Sequence, residues 1–215
     1  MPHKNVLCLV PHGDDEVLSA GATISKHKRN GDSVTVCFLK GDKTERNLKQ
    51  IEQSKLVAKF LNIDSIHHLD LLHTDDLGYI SNEIEKFLSN KKFDCLYTIH
   101  ENDNHQEHRL SFNAISIAVR AHGPCAIPCI FCGETLSSTQ QRLKAFNTFN
   151  PTYFNIVTEK DIENKVQALS FYTDEIHTAP HPRSAEVIKA LAVLRGSECS
   201  SNFAEAFMPL RLFNY

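Results

Sequence analysis

Residues 6–10, Val-Leu-Cys-Leu-Val, form an unbroken apolar run that stops at once in Pro11-His12-Gly13-Asp14-Asp15-Glu16. An apolar run without polar alternation suits a strand buried on both faces, the pattern of a central parallel strand. The theme then recurs. Residues 16–29 carry apolar side chains at helical spacing and stop at Gly31; 34–39 reads as a second strand and 46–60 as a second helix. Further on, strands are expected over 63–69, 93–99 and 129–132, and helices over 80–88 and 107–122. The last third is less regular, with a strand expected over 150–157 and helices over 159–171 and 185–194, the latter ended by Gly196. Strands alternating with helices predict an α/β fold: a Rossmann-like, mostly parallel sheet with helices on both faces. With 215 residues and no repeat, linker or low-complexity segment, one domain over 1–215 is expected.

The polar clusters fall where the first and fourth of these strands end. One imidazole and three carboxylates against a core strand repel one another and lose hydration, and a divalent cation reverses that electrostatics. A second cluster, Asp103-Asn104-His105-Gln106-Glu107-His108, follows residues 93–99. In open α/β sheets, ligands bind beyond the carboxyl ends of the strands, so both clusters can meet there. A catalytic zinc site takes three His, Asp or Glu ligands and keeps one position open. His12 and Asp15 can converge from one turn, His108 can supply the third ligand, and Asp14 is left free to act on water. His105, one turn before His108, would face the opposite side of a reacting carbonyl. Taken singly, Asp14 and Glu16 read as first-turn acids favoured by a helix dipole, and His105 and His108 as a solvated helix start; the two clusters in order favour a site.

Composition narrows the classes. Net charge −3 argues against binding a phosphate backbone. No apolar run approaches the ~20 residues that cross a bilayer, and Met1-Pro2-His3-Lys4-Asn5 lacks a signal-peptide core, so a soluble cytoplasmic protein is expected. The seven cysteines read as free, reduced thiols. Cys125-x3-Cys129-x2-Cys132 has the spacing of an iron–sulfur motif, but 127–132 reads as a buried strand in which residues three apart face opposite ways. No Gly-x-Gly-x-x-Gly follows the first strand, against a dinucleotide site. His67, His68, His73, Asp75 and Asp76 read as a polar loop. Arg183 and His181, in a proline-bracketed loop, and Arg109 are candidate substrate contacts. Glu205 is a candidate partner of Arg183 or another base.

His12-Gly13-Asp14-Asp15-Glu16 resembles the His-Pro-Asp-Asp-Glu motif of the PIG-L/LmbE-like deacetylases, and Asp103-x-His105-x-Glu107-His108 resembles that family's Asp-x-His-x-Asp-His. Gly21, Gly41, the 181–184 stretch, Arg195-Gly196 and Ala204-Glu205-Ala206-Phe207 extend the likeness along nearly the whole chain. The resemblance implies a zinc-dependent N-deacetylase acting on an N-acetylated amino sugar or its soluble conjugate. His12, Asp15 and His108 would bind Zn2+, although Fe2+, Co2+ or Ni2+ also suit such a ligand set. Asp14 would be the general base, and His105 would stabilise the oxyanion or supply a proton. The implied partner is a small amino-sugar molecule, with no nucleic acid and no membrane; an oligomer is left open. One of the later histidine-run aspartates, Asp75 or Asp76, would reach sugar hydroxyls. Two departures stand out: Gly13 replaces proline, which should loosen the turn, and Glu107 replaces an aspartate that orients a histidine. The rival readings are a sugar-binding module of the same fold without turnover and, more remotely, an iron–sulfur enzyme using Cys125, Cys129 and Cys132.

Overall fold

The computed structural model of the protein describes residues 3–143 and 148–213. Seven strands form one sheet: β1 (Asn5–Val10), β2 (Ser33–Phe38), β3 (Ser65–His68), β4 (Cys95–Ile99), β5 (Cys129–Gly133), β6 (Tyr153–Ile156) and β7 (Ala204–Leu212). The helices are α1 (Asp15–Arg29), α2 (Glu45–Leu61), α3 (Leu77–Leu88), α4 (Gln106–Ala118), α5 (Glu159–Ser170) and α6 (Ala185–Ser197). The spatial order is β3-β2-β1-β4-β5-β7-β6. The first five of these pair in parallel, while β7 runs antiparallel to both β5 and β6. The expected mostly parallel α/β sheet is therefore present, with a reversed β7 that sequence reading did not anticipate.

The two-residue period of β1 divides the core. Val6, Cys8 and Val10 pack on one face with residues of α1, α2 and α5, such as Leu18, Val57 and Leu169. Leu7 and Leu9 pack on the other with Ile80 and Ile84 of α3 and Ala114 and Ile115 of α4. No described helix is long and apolar enough to cross a membrane. The cysteines are free thiols, as expected. Cys125 belongs to the second core cluster while Cys129 packs against the first, so the iron–sulfur spacing is split across the sheet. Among the described residues these cysteines form no ligand cluster.

Two local features correct the sequence expectations, and a third selects between alternatives. Gly196 does not end α6 but lies within it. A Cβ there would stand 2.6 Å from the Ser201 carbonyl oxygen, so glycine is needed for the close return of the chain rather than as a stop. The fourth helix ends at Ala118 rather than at residue 122. Of the two partners expected for Glu205, Arg183 or another base, the structure has the second: its Oε1 accepts from Lys165 Nζ at 2.6 Å, and the carboxylate also accepts the amides of Ala22 and Thr23. Those amides are exposed because α1 breaks at Ala20 (φ −143°, ψ 17°). Lys165 Nζ also donates to Leu18 O at 2.8 Å, so one buried ion pair satisfies both sides of the break. Gly21 lets Lys165 pass, since a Cβ at that position would lie 3.0 Å from Lys165 Cγ.

The N-terminus of α5 carries a capping box. Thr158 accepts the Asp161 N–H, and Asp161 accepts the Thr158 N–H at 2.9 Å. Asp161 also accepts from Ser25 Oγ and Arg29 Nη2, each at 2.9 Å. Burial raises the Asp161 pKa, but the hydrogen bonds from Arg29, Thr158 and Ser25 outweigh it and hold the group below its ordinary value. Arg29 is half exposed, so the hydrogen bonds rather than the ion pair carry most of the effect. A carboxylate with a depressed folded pKa stabilises above its unfolded value of ~3.9 and loses that contribution as pH falls through the folded value. Asp161→Asn is therefore expected to cost about 1–3 kcal/mol at pH 7. In urea titrations the gap to wild type should narrow below pH ~4; a gap unchanged with pH would show that the charge contributes nothing.

Candidate active site

β1 and β4 are neighbours in the sheet, and the chain leaves them toward opposite sides, making a crevice at their carboxyl ends. The loop after β1 holds residues 11–14 and the loop after β4 holds residues 100–105, so the two polar clusters meet there. A cavity of about 450 Å³ opens over them, lined by His12, Asp14, Asp15, His105, Glu107, His108 and Arg183 among others.

Asp15 is the centre of convergence. Its Oδ2 accepts the His12 backbone N–H at 3.0 Å and lies 3.0 Å from His12 Nδ1 and 3.2 Å from His108 Nε2. The far side of each imidazole is also held. His12 Nε2 lies 2.6 Å from Glu107 Oε2, and Lys40 Nζ donates to the same carboxylate at 3.0 and 3.3 Å. His108 Nδ1 lies 3.3 Å from Asp103 Oδ1, off the hydrogen-bond axis, and has no other partner. Asp103 is fully buried and accepts from Ser138 Oγ, from Thr139 Oγ1 at 2.8 Å and from the His105 N–H at 2.8 Å. Imidazoles backed by carboxylates in this way have fixed orientation and raised basicity, as metal-binding histidines require.

The electrostatics follow from this crowding. Burial lowers the His12 pKa, but hydrogen bonds to Asp15 and Glu107 outweigh it and push the group up to about 9. Burial of His108 is likewise outweighed by Asp15 and Asp103, giving a value of about 10. The His12 hydrogen bond pulls Glu107 down to about 2. Asp15 is buried, yet the two imidazoles hold it well below the usual carboxylate range. The buried carboxylates thus demand positive charge between them. The nitrogen donors of His12, His105 and His108 lie within 4.8 Å of one another. This donor set, imidazoles plus a buried carboxylate with backing acids, fits a divalent transition-metal ion.

Asp14 stands beside the cluster without joining it. Burial and the Asp15 carboxylate push its pKa upward, and Arg183 draws it down. Arg183 Nη1 donates to Asp14 Oδ2 at 2.8 Å and also to Glu175, while its Nε donates to Ser137 Oγ at 2.6 Å. Arg183 lines the cavity with its Nε and Nη1 engaged in these bonds. The His105 ring stands 5.0 Å from that of His12 and 4.9 Å from that of His108. Desolvation and those two imidazoles keep its pKa low.

The other two candidate substrate contacts lie outside the cavity lining. Arg109 Nη1 donates to the carbonyls of Asp103 and Asn104, each at 2.8 Å, so it braces the loop. His181 Nδ1 accepts the Arg183 N–H, and its ring lies tilted against that of His177, 4.0 Å between centroids. Asp76 caps α3 by accepting the Tyr79 N–H at 2.9 Å rather than facing the cavity. Sequence reasoning missed Lys40, Glu175 and Arg46, which line the cavity from loops and a helix start; only their polarity near strand ends could have signalled them.

A family model described as PIG-L, GlcNAc-PI de-N-acetylase, matches residues 7–119, more than half of the chain. The chain belongs to the PIG-L family. That match spans β1 to α4 and so contains both polar clusters. An uncharacterized deacetylase of Escherichia coli K12, YaiS, is 26% identical over 176 residues, covering 77% of this chain and 89% of the relative. Among solved structures, the zinc-inhibited form of teicoplanin deacetylase Orf2 superposes with a TM-score of 0.78 at 14% identity, covering 95% of this chain and 97% of the other. N,N'-diacetylchitobiose deacetylase from Pyrococcus horikoshii gives 0.73 at 18% identity, covering 96% and 84%. At these identities the structural matches establish the fold, and the family model establishes membership of a deacetylase family.

Proposed function

We propose that this PIG-L member is a metal-dependent N-deacetylase that hydrolyses the acetamide of a small N-acetylated amino sugar or its conjugate. The observation that carries this reading is the convergence of Asp15 Oδ2 on both His12 and His108, with the Asp14 carboxylate facing the same cavity. His12, Asp15 and His108 would hold the ion. A divalent metal there supplies a Lewis acid and lowers the pKa of water toward ~7.

The chain's own residues divide the remaining work. Asp14, held by Arg183, takes a proton from the attacking water and returns it to the departing amine, so that amide and water leave as acetate and amine. His105, beside His12 and His108 in the cavity lining, would face the oxygen on which negative charge develops. Glu107, clamped by Lys40, lies against His12 Nε2 and would fix that ring. The cavity suits a hydroxyl-rich molecule because its walls carry Thr44, Asn47, Gln50, Asn104 and Gln106. Its volume falls in the range of small-molecule sites, ~300–1,000 Å³. Neighbours named as deacetylases of teicoplanin and of diacetylchitobiose support an N-acetylated sugar as the substrate class.

The test couples elemental analysis with acetate release from N-acetylglucosamine and its derivatives. Wild type should carry one divalent ion per chain and release acetate from at least one panel member. Asp15→Ala should lose both, whereas His105→Ala should keep the metal and lose most of the activity. Metal loss in His105→Ala with retention in Asp15→Ala would exchange their roles, making the three imidazoles the donor set. Stoichiometric metal without acetate from any panel member would move the reading to a sugar-binding module.

A further inference from the structure

Asp14 has a backbone that an L-residue rarely adopts, with φ +100° and ψ −33°. Such a conformation is unfavourable and persists only where surrounding contacts fix it. An aspartate before a helix normally has extended backbone and turns its carboxylate back to cap the first turn. Here that cap is absent: the Asp14 side chain makes no capping bond, and its carboxylate is free to face the cavity and meet Arg183. The backbone of Asp14 still serves the helix, since its carbonyl accepts the N–H groups of Val17 and Leu18 at 3.0 and 2.9 Å.

The Asp14 N–H donates to Glu16 Oε2 at 3.0 Å. Glu16 is 1% exposed, and its other oxygen accepts the Tyr172 hydroxyl at 2.6 Å. Tyr172 follows α5 and is fully buried. Its ring lies against residue 13: a Cβ there would stand 3.2 Å from Tyr172 Cε1 and 3.3 Å from Gln50 Cβ. Gly13 thus makes room for the ring, the ring brings its hydroxyl to Glu16, and Glu16 holds the amide of Asp14. The space beside Gly13 is filled from α2 and from the segment after α5.

We propose that Tyr172 is a positioning residue that fixes, through Glu16, the backbone from which Asp14 presents its carboxylate. Its kinetic consequence rests on the reading of Asp14 as the base; its structural consequence does not. Tyr172→Phe removes one hydroxyl and keeps the ring. Amide hydrogen exchange resolved by NMR should then accelerate about tenfold at Asp14, while amides of residues 6–10 keep wild-type rates. Glu16→Ala should do the same, and Glu16→Gln, which keeps an acceptor for the Asp14 N–H, should retain wild-type exchange. Acceleration spread equally over Asp14 and residues 6–10, or none at Asp14, would overturn the proposal.

The kinetic arm uses acetate release from N-acetylglucosamine or the panel member that wild type hydrolyses. Tyr172→Phe should lower kcat about tenfold with KM within twofold, and should lower the residual rate of Asp14→Asn by less than twofold. Equal losses in both backgrounds would make Tyr172 a structural residue only and overturn its positioning of Asp14. Wild type inactive on every panel member, with the exchange pattern intact, would remove the deacetylase reading and leave the positioning standing.

Discussion

Asp14→Asn is expected to lower kcat for acetate release by about 10²–10⁴-fold, the range spanned by loss of a positioned general base. The substitution keeps the size of the side chain and leaves Arg183 a carbonyl oxygen to meet. Asp14 is not among the groups that converge on Asp15, so elemental analysis should find the same metal content as in wild type. KM should change little, because Asp14 acts on water and on the leaving amine rather than on the body of the substrate. Loss of metal from Asp14→Asn would place this carboxylate among the ligands, and retention of more than a tenth of kcat would leave the proton transfer to another group.

Lys165→Met should be the most destabilising single change outside the site. It strands the Glu205 carboxylate, 6% exposed, with only the amides of Ala22 and Thr23, and it leaves the Leu18 carbonyl without its donor. Breaking one partner out of a buried ion pair costs about 3–5 kcal/mol. The double variant Lys165→Met with Glu205→Gln removes the orphaned charge while keeping an acceptor for the two amides, so it should be more stable than the single variant. Urea titration of both separates the explanations: a single variant within about 1 kcal/mol of wild type, well under the range expected for a broken buried pair, would show that the pair contributes little.

The site was more legible than its supports because its chemistry is local. His12, Asp14 and Asp15 fall within one turn after an apolar run, and His105 and His108 within another, so their types and spacing expose them. The parallel order of β1 and β4 that unites the two clusters follows from the strand–helix alternation. What stabilises them is remote in sequence. Lys40 reaches Glu107 and Tyr172 reaches Glu16 across separations that no periodicity encodes. The positive φ of Asp14 is invisible for a related reason, since the sequence marks such positions only where glycine occupies them. β7 escaped because Glu205, Pro209 and Arg211 interrupt its apolar pattern; Glu205 is buried among the ends of the broken helix, and Arg211 donates to the carbonyls of Val119 and Ile127. Arg183 and Arg109 differ in placement: Arg183 lines the cavity and meets Asp14, whereas Arg109 lies outside the lining and donates to the carbonyls of Asp103 and Asn104.

The placement of the cysteines has a practical consequence. Cys8 and Cys37 are wholly enclosed, and burial holds their thiols well above the ordinary range; burial likewise lifts Cys95 and Cys132 to about 12. An alkylating reagent reacts with thiolate, so these four are silent while the sheet is intact. Their labelling rate measures how often β1, β2, β4 and β5 open, and the chain carries its own clock for the cooperative loss of its central strands.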